Sequence, residues 1–191
     1  MKKLTYIQYS KTQLQKIGHT IIYLSYGISG LTKTKLLKLL YILDELSIKK
    51  SGIPFLNLKY KVWKFGPVSE ELFIDFSSEI KLLDEFLYQK NVNGINEIFP
   101  KILFSDDEFS DNDLELMDFI IEKYGNLSSN ELVAYTHRVN SPWYHFAKEN
   151  SVLELLENES INNTEIEIDM RILILHDPYK LEIYNEYLET H

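Results

Sequence analysis

Residues 33–52 read KTKLLKLLYILDELSIKKSG, and the reading of this stretch decides the fold. Leu36, Leu37, Leu39, Leu40, Leu43 and Leu46 recur at helical spacing but spread over a wide arc. Thr32 or Thr34 is placed to cap the start, and Gly52 with Pro54 closes the end. A helix apolar over so broad a face must be covered from more than one side, so it is the expected centre of the fold. Upstream, Leu14, Ile17, Ile21 and Leu24 predict a helix over residues 12–25 that stops at the 27–30 segment. Downstream, residues 57–64 change period. Leu58, Tyr60 and Val62 alternate with Lys59, Lys61 and Trp63, the pattern of a half-buried strand. A Gly66-Pro67 corner follows, then Ser69 as a helix cap with Glu70 and Glu71 in the positive first turn, and Val68 and Phe73 as a hydrophobic staple.

Farther along, Asn93-Gly94 between residues 87–92 and 95–99 signals a hairpin, with a helix over 82–89 as the competing reading. Ser110-x-x-Asp113 opens a helix that turns Leu114, Met117, Ile121 and Tyr124 inward and ends at Gly125. Ser128-x-x-Glu131 is a capping box with Leu127 and Leu132 as its staple, and Pro142 after Ser141 stands at a first helical position. In residues 164–176, Ile166, Ile168, Met170, Ile172 and Ile174 alternate like a strand, yet the run also suits a buried helix. Asp177-Pro178 starts a last helix with Leu181, Tyr184 and Leu188. The expected fold is mainly α with a small β-sheet or hairpin (α+β), in a compact single domain.

A chain of 191 residues can bury about 70% of its unfolded surface, enough to fold without staples. It has no cysteine, which excludes disulfides, thiol catalysis and cysteine-ligated metal. The opening MKKLTYIQYS lacks the apolar stretch of a signal peptide, and the longest apolar run, 39–43, is far too short to span a bilayer. A cytoplasmic location is the default expectation. The net charge of −9 hides a gradient: residues 1–65 hold twelve lysines against two acids, and the remainder carries a balance of −19. The two parts either attract each other within one fold or present faces of opposite sign, the acidic one suited to a basic partner.

Catalytic signatures are sparse. His19, His137, His145, His176 and His191 form no metal-ligand motif; His137 and His145, eight apart, are weighed as a shared zinc or iron site and read instead as capping or core residues. No phosphate-binding glycine loop or nucleophile elbow is present. For nucleic acid, the basic first third offers Lys33, Lys35 and Lys38 on the helix and Lys59, Lys61 and Lys64 on the strand, with Trp63 and Phe65 as base-stacking candidates. The acidic whole disfavours this, and packing of Trp63 and Phe65 against the leucine-rich helix is the preferred reading. No cofactor is expected.

Three segments together resemble a known family. They are LTKTKLLKLLYILDELSIKKSGIPF with its Leu39-Leu40-Tyr41, VWKFGPVSEELF with Trp63 and Gly66-Pro67, and FSDNDLELMDFIIEKYGNLSSNELVAYTHRVNSPW with Thr136-His137 and Pro142-Trp143. Their order over residues 31–143 is similar to that of the Panacea domain, the family of SocA-like and phage-associated GepA proteins. Leu37 stands where the family often has glutamine, and the chain after Asn150 matches less well. Residues 1–150 are therefore expected to be the Panacea-like domain, with 151–191 an extension packed on it. The resemblance implies a non-enzymatic antitoxin that neutralises a cognate toxin, encoded by an adjacent gene, through direct protein contact. One similar type is a proteolytic adaptor, and a DNA-binding autoregulator is the other alternative. In this reading the matched residues are scaffold. Partner contact is expected from Phe104 and Phe109 and from the tail's Tyr179, Tyr184 and Tyr187, and self-association into a homo-oligomer is left open.

Overall fold

The computed structural model describes residues 9–190, so the first eight residues of the opening MKKLTYIQYS and the terminal His191 lie outside the described residues. Helix α1 (Lys11–Gly27) begins at a capping box, in which the Ser10 hydroxyl accepts from the Gln13 N–H and the Gln13 side chain accepts from the Ser10 N–H. The leucine-rich stretch forms α2 (Lys33–Ser51), capped by Thr32 and ended at Gly52, whose N–H returns to the Ile48 carbonyl. Every residue from 35 to 45 is buried, so α2 has no solvent face over three turns. Each leucine so enclosed contributes about 1.5–3 kcal/mol relative to exposure.

Strands β1 (Lys61–Trp63) and β2 (Gly66–Val68) pair antiparallel and lead into the short helix α3 (Glu70–Asp75). Here the expected geometry is corrected. Gly66 and Pro67 do not form a corner after a strand; they lie within β2, opposite Trp63 and Val62, and the turn is made at Lys64-Phe65. The strand over 57–64 shortens to three residues. Ser69 occupies the cap position of α3 without donating or accepting a capping bond; its hydroxyl meets Glu71 instead. The second hairpin, β3 (Leu87–Val92) with β4 (Ile95–Pro100), turns at Asn93-Gly94, both at positive φ as the sequence requires, and excludes a helix over 82–89.

Helices α4 (Asp111–Tyr124) and α5 (Ser129–Thr136) start at the capping boxes of Ser110 and Ser128. Next come α6 (Pro142–Glu149), with Pro142 in its first turn, and the short α7 (Leu153–Glu157). The ambiguous segment divides between its two readings. Its first part is extended and lies along β1, with Val62 N–H donating to Ile166 carbonyl at 2.9 Å and Ile168 N–H to Tyr60 carbonyl at 2.8 Å. A 3-10 turn at Met170–Leu173 follows, then α8 (Pro178–Thr190). Helices α3, α4, α5 and α8, the 3-10 turn and strands β2 and β4 all pack on α2. The result is a mainly helical fold with two small antiparallel two-stranded sheets.

Polar groups fasten this core as well. Asp44, fully enclosed on α2, accepts from the N–H groups of Leu56 (2.6 Å), Asn57 (3.3 Å) and Leu58 (3.3 Å) and from the Tyr60 hydroxyl (2.8 Å). Its carboxylate thereby replaces the missing partners of a tight, buried bend. Glu45, one residue on, holds Arg138 beyond the end of α5 and Lys49 on its own helix. None of the described helices is long and apolar enough to cross a membrane.

Candidate functional site

The resemblance-bearing residues converge where α2, the β1–β2 hairpin and the α5–α6 junction meet. Leu39, Leu40 and Tyr41 are wholly buried, and Tyr41 stands edge-on to Tyr60 at 5.0 Å. Trp143, buried on α6, donates its indole N–H to the Trp63 carbonyl at 2.8 Å and stacks flat on His137 at 3.7 Å. Trp63 in turn donates to the Thr164 carbonyl at 3.2 Å and meets Phe73 edge-on at 4.9 Å. Pro142 and Thr136 are buried beside them. Gly66 is the pivot: a Cβ there would stand 2.6 Å from Thr136 Oγ1, 2.9 Å from Lys38 Cε and 3.5 Å from His137 Nε2.

Lys38 is the unexpected member. Read from sequence as one of three helix lysines available to phosphate, it is 1% exposed and donates its amine to the Pro67 carbonyl at 2.7 Å. Burial without a carboxylate partner pushes its pKa down to about 7. The signal was a single lysine set inside an otherwise unbroken run of leucines. His137 is likewise pushed down to about 4, first by burial and then by the Lys38 charge, and its Nε2 has no hydrogen-bond partner among the described residues.

A pH dependence follows. The unfolded chain protonates this histidine near its ordinary 6.5, whereas the folded chain resists until about pH 4. Neutral His137 therefore stabilises the fold fully above 6.5, and this contribution is lost as pH falls through that window. The loss amounts to about 3 kcal/mol. His137→Phe keeps a flat ring for Trp143 and removes the proton acceptor. The difference in unfolding free energy between wild type and variant is expected to move by that amount from about pH 7 to pH 4 in urea titrations; parallel profiles would contradict it.

Against this junction lies an open groove of about 250 Å³, lined by Thr34, Leu37 and Lys38 of α2, Trp63, Phe65 and Val68 of the hairpin, Phe73 of α3, and Asn162 and Asn163. Phe65 corrects the expectation of packing against α2: it is 60% exposed at the hairpin tip, with the Lys64 amine 4.9 Å from its ring. Lys33 covers Phe73 at 4.1 Å. Among the described residues no carboxylate lines the groove.

The expected partner contacts are placed unevenly. Phe104 and Phe109 are half-buried in an aromatic cluster with His19, Tyr23 and Phe55, and so are largely used inside the fold. Tyr184 is buried against the core and is not available as a surface anchor. Tyr187 is half-buried, and Tyr179, 72% exposed, stands free on the surface. Of the strand lysines, Lys61 pairs with Glu70 and Glu165, and Lys64 with Glu159 at 2.9 Å, so part of the basic stretch is compensated internally. His145 is exposed and meets Glu149, apart from the stacked His137. Among the described residues no group of three or more acidic or histidine side chains is arranged for a metal.

Compared with known proteins, residues 36–144 match the model of the family described as "Antitoxin SocA-like, Panacea domain". No curated protein and no solved structure matches the chain.

Proposed function

Because the chain belongs to the SocA-like antitoxin family with a Panacea domain, the match covering more than half its length, we propose that it is an antitoxin that neutralises a cognate toxin by direct, non-covalent contact. The observation that carries this reading is the family match itself. The geometry supports it from a second side. The matched residues Leu39, Leu40, Tyr41, Gly66, Pro67, Thr136, Pro142 and Trp143 are buried, as a scaffold requires. What remains for recognition is surface, where Phe65 over its groove and Tyr179 on α8 stand among other exposed apolar side chains such as Leu103, Val139 and Leu175. Aromatic side chains are enriched at protein interfaces, where a few anchors carry most of the binding energy. Compensation of Lys61 and Lys64 by Glu70, Glu159 and Glu165 favours a protein partner over nucleic acid.

The toxin is expected to be the product of the adjacent gene. Inducing that gene alone should arrest growth, and co-expression of this chain should restore it. A neighbour that is harmless by itself, or that stays lethal with this chain present, would remove the reading.

A further inference from the structure

Resting on the antitoxin reading, we infer that the groove between α2 and the β1–β2 hairpin is the pocket that anchors the toxin. It takes a segment in which a hydrophobic side chain stands beside a carboxylate, the first against Phe65 and Trp63 and the second at the Lys38 amine.

Three observations lead there. Lys33, Lys35 and Lys38 open α2 in sequence, and none forms an ion pair among the described residues. Holding the Lys38 amine charged away from water without a counter-ion is costly, so it gives up its proton more readily, and an apolar residue of similar shape would serve the core better. Lys38 has three N–H donors and, among the described residues, one acceptor, the Pro67 carbonyl. An arriving carboxylate supplies both the missing charge and the missing acceptors.

The groove's size sets the rest of the occupant. At about 250 Å³ it falls below the usual span of small-molecule pockets, roughly 300–1,000 Å³, and suits one large side chain with a short neighbour. Trp63, Val68, Leu37 and Phe73 make its walls apolar, and Phe65 extends one wall into solvent. Glu70, Glu159 and Glu165 already hold Lys61 and Lys64, which leaves less free positive charge for a nucleic acid backbone, whereas a single carboxylate needs one amine.

The test uses short random peptides displayed on phage, selected on the full chain, with the best ones synthesised and measured by fluorescence anisotropy. Selected peptides should place Asp or Glu next to an aromatic or large aliphatic residue. Phe65→Ser, at an exposed tip, and Lys38→Met, which removes a buried charge, should each weaken binding by about tenfold or more while leaving the folded circular dichroism spectrum unchanged. Changing the peptide's acid to its amide should cost a similar factor with wild type and little with Lys38→Met. Equal binding to Lys38→Met, peptides without an acid, or displacement by single-stranded DNA with a steep salt slope would each overturn the assignment.

The same variants then go into the co-expression assay, where Phe65→Ser should lose rescue. If the peptides behave as described but Phe65→Ser still rescues, the toxin docks elsewhere and the antitoxin reading survives. A neighbour that is harmless alone overturns that reading and the toxin assignment with it.

Discussion

Gly66→Ala is expected to lower the unfolding free energy by about 3–4 kcal/mol and the melting temperature by roughly 10 °C. Two costs combine. Gly66 sits at φ +94°, where an L residue is strained. The new Cβ would also press into Thr136 Oγ1 and Lys38 Cε at separations that carbon atoms do not tolerate. Neither neighbour can yield cheaply, since Thr136 is tied to the Val133 carbonyl at 2.9 Å and Lys38 to Pro67. Gly94→Ala separates the costs: Gly94 has φ +87°, but a Cβ there meets nothing within 4 Å. It should lose only about 1 kcal/mol by differential scanning calorimetry or urea unfolding. Equal losses at the two positions would mean that the hairpin does not pack on α2 and α5 as described.

Asp44→Ala is expected to be equally damaging, at about 4 kcal/mol, for a different reason. It removes no large apolar volume. It leaves three backbone N–H groups at Leu56, Asn57 and Leu58 without an acceptor, two of them on buried residues, and each such loss costs about 1–3 kcal/mol. Asp44→Asn should fall between wild type and alanine. Its amide oxygen can still serve Leu56 and Asn57, and the Tyr60 hydroxyl, which also reaches the Leu40 carbonyl at 3.3 Å, can turn to accept from the new amide N–H. Leu58 alone then stays unserved. Burial raises the Asp44 pKa while its four donors lower it, so the carboxylate is held by hydrogen bonds and not by a cation. An alanine variant as stable as wild type would contradict that account.

The parts of this fold that were legible are those set by local chemistry. The leucine arc of α2 announces a helix covered from more than one side, and Ser110, Ser128 and Asn93-Gly94 declare their caps and turn within four residues. The capping box of Ser10 and Gln13 carried the same signal and extends α1 beyond the residues that periodicity alone marked. What escaped was contact between distant segments. Residues 162–168 lie along β1 about a hundred positions away, and only that pairing separates the strand reading of Ile166 and Ile168 from a helix. Gly66-Pro67 looked like a corner because proline is unusual in strands, yet Pro67 sits in a strand of only three residues and needs no N–H there. The site was harder still. Lysine is seldom fully buried, so Lys38 was grouped with its exposed-looking neighbours. For Phe65 the usual tendency of large aromatics points to packing against the leucine-rich helix. The two departures from those tendencies lie together at the groove, where a fold optimised for stability alone would not have placed them.

The most direct measurement mixes the purified chain with the purified product of the adjacent gene, with no nucleotide, metal or protease, and follows the mixture by size-exclusion chromatography and intact-mass spectrometry. A saturable complex that co-elutes, blocks the toxin's action and returns the toxin at its original mass is the predicted result. A toxin silenced without forming a complex, or recovered cleaved or chemically altered, would contradict it.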